Sequence, residues 1–233
     1  MFLRSIVLPL AVVILANSDV HAKRLLVANA GSDQVLSLSA ANGDLIDVLV
    51  EGGEAVPEAL ENPVGILVDP NGDLLVSSAR GANAILRYDG VSGEFIDVFA
   101  SSPELDTPLF MTFGPDENLY VSSAGSGEIL RYDGFSGEFI DVFASNEELS
   151  DPIDLMFGHD GNLFVSDQNS NSILRFNGEN GEFIDRFVTD SILNAPAGFI
   201  FAPAVPEPLT ICLILWNALF LCGTRLLCIN RTC

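Results

Sequence analysis

The chain has 233 residues, with 10 Lys and Arg against 32 Asp and Glu, and a formal net charge of -22. Apolar residues make up 48% beside 20 Gly and 12 Pro, which excludes collagen-like and disordered chains and allows one ordinary domain or two small ones. So large an acidic excess repels phosphate backbones and anionic lipid, which argues against nucleic-acid binding and polybasic membrane contact.

Residues 1–22 read as a secretory signal peptide. Arg4 precedes an apolar run from Ile6 to Ala16, then polar Asn17, Ser18 and Asp19, then Val20-His21-Ala22 with small residues at the -3 and -1 positions of a cleavage site. The run is too short to cross a bilayer and Pro9 interrupts it. The mature chain is expected to start near Lys23 and to leave the cytoplasm.

An internal repeat organises residues 23–203. Its tripeptide core recurs as Leu25-Leu26-Val27, Leu74-Leu75-Val76, Leu119-Tyr120-Val121 and Leu163-Phe164-Val165. A second marker, Gly followed by an acidic residue and an apolar pair before Asp, recurs at Gly43, Gly93, Gly137 and Gly181, spaced by 50, 44 and 44. Ile85 to Leu105 matches Ile129 to Leu149 at 18 of 21 positions, which points to recent duplication. In the third copy, strands are predicted at Leu109–Phe113, Asn118–Ser123, Glu128–Asp133 and Glu138–Ala144, separated by turns rich in Gly, Asp and Pro. Phe139-Ile140-Asp141-Val142-Phe143 alternates with period two, and no segment of the body shows a sustained helical period. Four strands in each unit of about 44 residues predict an all-β fold, a small β-propeller of four four-stranded blades.

The run from Pro63 to Ser77, continued by Ile85-Leu86-Arg87-Tyr88-Asp89, resembles the NHL-type repeat. The fourth copy, with Leu163-Phe164-Val165-Ser166-Asp167, Asn171 and Ile173, is similar to it as well. The resemblance covers about residues 25 to 203 and implies propeller architecture, on which binding, scaffolding and enzymatic roles all occur. The first copy starts at its second strand, Arg24 to Asn29, and the last is followed by a spare first strand, Ala197 to Phe201. Pairing the two would close the ring and hide its edges. An open arc completed by a second chain is the alternative.

At the C-terminal end, Val205-Pro206-Glu207-Pro208 is followed by an apolar run from Leu209 to Gly223 and then Arg225. This resembles a PEP-CTERM sorting signal, with Pro206, Glu207, Pro208 and Arg225 at the positions of its motif. The resemblance makes 204–233 a sorting tail with a transmembrane segment, cut by an exosortase-type membrane protease that releases the body to the cell surface or matrix. A plain anchor behind a Pro-rich linker is the alternative. All four cysteines, Cys212, Cys222, Cys228 and Cys233, lie in the tail, so neither disulfides nor a thiolate nucleophile are expected in the body.

Candidate chemistry in the body is sparse. His159, in Gly158-His159-Asp160-Gly161, is its one histidine and reads as a surface turn residue rather than a general base. Asp69, Asp73, Asp116 and Asp160 recur in inter-strand turns, where turn formation is the expected role and calcium ligation the sharper one. Asp97, Asp141 and Asp185 recur from blade to blade and are expected to serve strand pairing and turns; Arg87, Arg131 and Arg175 recur beside Tyr88, Tyr132 and Phe176 and are expected to be structural, paired with neighbouring carboxylates. A ligand site is expected where the copies differ, at Arg80, Asp154, Gln168 and Asn169. Two functions follow: a non-enzymatic exported propeller binding a glycan or protein partner, with no cofactor; or an enzyme of the lactonase or lyase kind, with a divalent cation in the central channel.

Overall fold

The computed structural model describes residues 24–53, 60–188 and 192–202. The signal-peptide and sorting-tail expectations, Pro206, Glu207, Pro208 and Arg225 included, lie outside the described residues. Fifteen strands are formed, and no α-helix occurs among the described residues. The chain divides after Phe199 into two units, and the second contributes no regular element among its described residues.

The strands fall into consecutive antiparallel sheets. The first holds β1 (Arg24–Asn29), β2 (Gln34–Ser39) and β3 (Leu45–Glu51). The second holds β4 (Leu60–Val68), β5 (Leu74–Gly81), β6 (Ala84–Tyr88) and β7 (Phe95–Ala100). In the third are β8 (Pro108–Phe113), β9 (Leu119–Ser123), β10 (Glu128–Tyr132) and β11 (Phe139–Ser145), and in the fourth β12 (Pro152–Phe157), β13 (Leu163–Asp167), β14 (Ser172–Phe176) and β15 (Phe183–Val188). Each sheet is one blade, a simple meander in which every strand pairs with its sequence neighbour. The first strands β4, β8 and β12 lie side by side and form the inner edge. Bounds predicted for the third copy hold to within a residue.

The core lies in the slots between blades. Leu75, Ile85 and Phe99 of the second blade pack with Leu119, Val121 and Tyr132 of the third. Tyr120, Ile129 and Phe143 of the third pack with Leu163, Leu174 and Phe176 of the fourth. The third blade is therefore covered on both faces, and every residue of β9 and β13 is buried, so neither strand alternates: Leu119-Tyr120-Val121 and Leu163-Phe164-Val165 run into the buried polar pairs Ser122-Ser123 and Ser166-Asp167. Each buried aliphatic or aromatic side chain contributes roughly 1.5–3 kcal/mol. The outermost strands sit at the rim, where Phe139, Ile140 and Val142 stay partly exposed despite their period-two pattern.

Three contacts repeat from blade to blade. Ser77, Ser122 and Ser166 each accept a backbone N–H of their own first strand and donate to a carbonyl one blade on: Leu109 (2.7 Å), Ile153 (2.7 Å) and Ala197 (2.6 Å). Asp33, Asn83 and Asn171, all in the left-handed region, accept the backbone N–H of Asn62, Thr107 and Ala195. In the turn before the outer strand, Gly93, Gly137 and Gly181 press against the carbonyls of Leu49, Phe99 and Phe143 on the preceding blade.

The first blade departs from the expected closure. It has three strands, and Ala197–Phe201 is not a strand. Ala197 accepts from Ser166, and the Phe199 N–H donates to Asp154 at 3.1 Å, so Ala197–Phe199 lies on the fourth blade as β8 and β12 lie on the blades before them, without pairing to β1. Among the described residues the inner edge of β1 carries no partner strand, and β1 has Ala28 where later blades have the bridging serine.

Candidate functional site

Antiparallel pairing brings the turn after each second strand to the same end of a blade as the start of its first strand. In the second blade Arg80 thus lies opposite Glu61, and in the fourth Asp167 lies opposite Pro152. At this end, between the first two blades, is an open pocket of about 410 Å³ lined by Ala30, Gly31, Asp33, Glu61, Asn62 and Arg80. Its shape comes from the short 3-10 turn Ala30–Ser32 and from the clamp between the Asp33 carboxylate and the Asn62 N–H, 2.7 Å apart. Arg80 and Glu61 are exposed, so the pocket offers a cation, carboxylates and an amide to solvent.

The four sequence candidates separate. Arg80 lines this pocket. Gln168 and Asn169 lie two blades away, in the turn between β13 and β14, where the Gln168 N–H donates to the Asp151 carbonyl. Asp154 belongs to the scaffold, because its carboxylate accepts the N–H groups of Leu155 (2.9 Å) and Phe199 (3.1 Å). Burial pushes its pKa up, and those two N–H groups offset this in part.

Asp167 was missed by sequence reasoning. It is fully buried and accepts N–H groups from Ser150 (2.8 Å), Asp151 (2.7 Å) and Ser170 (2.7 Å). Ser78 and Ser123 hold the corresponding place in other blades, so the Ser-to-Asp change between copies was the available signal. Burial, and then the neighbouring Asp167, raise the pKa of Asp151.

The repeated polar residues are committed to the scaffold. Asp69 accepts the N–H groups of Asn71 and Asp73. Asp116 and Asp160 each accept from the Asn two positions on, through backbone and side chain. Burial would raise Asp116, but hydrogen bonds from Asn118 and Tyr120 outweigh it and hold its pKa below the usual value. The Asn162 side chain is the main cause of the same lowering at Asp160. Asp73 takes the position that Asn118 and Asn162 hold in their turns, and His159 is exposed in its turn. Among the described residues no three His, Cys, Asp or Glu side chains gather closely enough to share a metal ion.

Arg87, Arg131 and Arg175 form two-pronged pairs with Asp97, Asp141 and Asp185 across the ladder; the Arg131 bonds measure 3.1 and 2.6 Å. Their guanidinium groups also lie over Phe99, Phe143 and Phe187, with 5.1 Å between Arg131 and the Phe143 ring. The hydrogen bond to Asp141 is the main cause that raises the pKa of Arg131. These pairs are structural, as expected. In the first blade Ser37 faces Asp47 in the same register, so the pair is lost there.

No family model matches the chain, and no curated protein does. Solved structures do. The virginiamycin B lyase of Staphylococcus aureus, a catalytically inactive variant solved with quinupristin, is 21% identical; the match covers 70% of this chain and 52% of that one, with a TM-score of 0.55. A chain of a nidogen/laminin complex is 19% identical over 69% of this chain and 57% of its own, with a TM-score of 0.56. A candidate gluconolactonase is 17% identical over 73% and 62%, with a TM-score of 0.57. At these identities the likeness establishes the propeller-type fold. The chain spans about half to three fifths of the length of these structures.

Proposed function

We propose that this chain is an exported, non-enzymatic β-propeller that acts as a binding module of the cell surface or matrix. In this reading it presents the pocket of Asp33, Glu61, Asn62 and Arg80 to a polar, hydroxyl-rich ligand of the glycan kind. The observation that supports it is where the polar side chains go. The recurring serines, aspartates and arginines hold turns and blades together, whereas Arg80, present in one copy only, faces solvent in an open polar pocket. A guanidinium between carboxylates and an amide suits several directional hydrogen bonds to hydroxyl groups.

Export and release by an exosortase rest on the signal-peptide pattern and on Pro206-Glu207-Pro208 with its apolar run and Arg225. Intact mass spectrometry of the protein recovered outside the producing cell is expected to find a species beginning near Lys23 and ending close to Pro206. A membrane-bound species retaining Cys212 to Cys233 would make the tail a permanent anchor instead.

Binding is tested on an array of neutral and acidic oligosaccharides. The full chain is expected to bind at least one class, and Arg80→Ala to weaken that binding at least about tenfold while leaving thermal stability unchanged. Failure to bind any sugar would sink the glycan reading. The names of two similar structures, a lyase and a candidate gluconolactonase, favour a second reading, a propeller enzyme of the lactonase or lyase kind using a divalent cation. Lactone or lyase turnover that depends on added calcium would replace the first reading with it.

A further inference from the structure

Two of the arrangements that join or build successive blades, the glycine contact and the pairing of a first strand with a second, each show an unmet half at the two ends of the series among the described residues. Gly93, Gly137 and Gly181 are docked so tightly that an added Cβ would lie 1.7 Å from the carbonyl they face. Gly43 has the same place in the first blade and the same left-handed backbone, with φ of +78° against +72° to +73°, yet an added Cβ there would meet nothing within 4 Å. The other half of this contact is Phe187, which follows Leu49, Phe99 and Phe143 in the repeat; Phe187 is 51% exposed, whereas the other three are 5–7% exposed.

The inner edges show the same imbalance. Leu25 of β1 is 52% exposed, against 0–1% for its counterparts Leu74, Leu119 and Leu163. On the fourth blade, Ala195 and Ala197 already make the clamp and serine contacts of a following first strand. Pro196 stands where Pro63, Pro108 and Pro152 stand in their first strands, and those three pair with Ser78, Ser123 and Asp167. The partner in that register is Asn29 of a β1. Among the described residues this pairing is not made: Ala195–Phe199 is held on the fourth blade, and no described strand pairs with the edge of β1.

We infer that a second copy of this chain completes the propeller head to tail: the fourth blade of each copy receives the first blade of the other. Phe187 of one copy then takes Gly43 of its partner, and Ala195–Phe199 leads into the missing inner strand beside the partner's β1. Such a contact is heterologous, and two copies close it into a ring with no free end. The occupant is a second copy because the vacant halves are complementary to each other in a geometry that the chain itself repeats three times.

Native mass spectrometry and light scattering of the full chain in mild detergent test this. The chain is expected at twice its monomer mass. Gly43→Ala puts a methyl group into the docking contact and is expected to weaken the dimer at least about tenfold. Gly161→Ala is the matched control, since Gly161 has the same φ of +78° and open space at its Cβ position, so its backbone strain is equal and its dimer should persist. A monomeric unmodified chain, an undiminished Gly43→Ala dimer, or equal loss in both variants would each overturn the inference.

Discussion

Gly137→Ala is expected to destabilise the protein by about 2–5 kcal/mol in urea unfolding, against about 1–2 kcal/mol for Gly161→Ala. Both positions are left-handed, with φ of +73° and +78°, so both variants bear the cost of a side chain in that region. The difference lies beyond the backbone. At Gly137 the new methyl would fall 1.7 Å from the Phe99 carbonyl, which is strand backbone of the preceding blade and cannot rotate away. The slot between the second and third blades, filled by Phe99, Leu119 and Tyr132, would have to open to admit it. Equal costs for the two variants would show that the inter-blade contact yields easily. Domains of this kind are stable by only about 5–15 kcal/mol, so the larger loss would be visible as a lowered midpoint.

A cooperative alkaline transition is the second large effect expected. The chain has three tyrosines, and Tyr88, Tyr120 and Tyr132 are all at most 1% exposed. Burial pushes each pKa up to about 12 from an ordinary value of 10.0; at Tyr120 the hydroxyl also donates to Asp116 at 3.0 Å. Because the folded state holds these protons more tightly than the unfolded one, their contribution is complete below pH 10 and is lost as pH rises from 10 towards about 12. Each tyrosine withdraws on the order of 2 kcal/mol across that window. Tyrosinate absorbance and far-ultraviolet circular dichroism should therefore change together, in one step within that window. Ionisation near pH 10 that preceded loss of structure would show that the rings are accessible to solvent in the folded state.

Ring contacts give the tyrosines a second role. Tyr120 meets Phe143 and Phe157 edge on, at 4.8 and 4.9 Å between centroids, and so ties the third blade to the first strand of the fourth. Tyr132 packs on Phe139 at 5.6 Å, and its hydroxyl meets Ser102 of the preceding connection at 3.1 Å. Ionising either ring would break contacts that hold separate blades together, which is the physical basis for expecting one transition.

The all-β class, the four-fold repeat and the strand bounds were legible in the residues alone. They depend on local signals, such as turn residues and β-prone segments recurring every 44 to 50 residues. The structural role of Arg87, Arg131 and Arg175 was legible too, because residues repeated from blade to blade serve what the blades share; that their carboxylate partners are Asp97, Asp141 and Asp185 was decided by the register of the ladder. The behaviour of the ends was not. Whether Ala197 meets β1 or stays on the fourth blade depends on the angle between successive blades, which is set by packing in three apolar slots and has no signature in spacing. For the same reason the folded arrangement was needed to separate Arg80 from Gln168 and Asn169, and to show Asp154 as the acceptor of the Phe199 N–H. Residue type marked these side chains as different between copies; their neighbours across blades fixed what each one does.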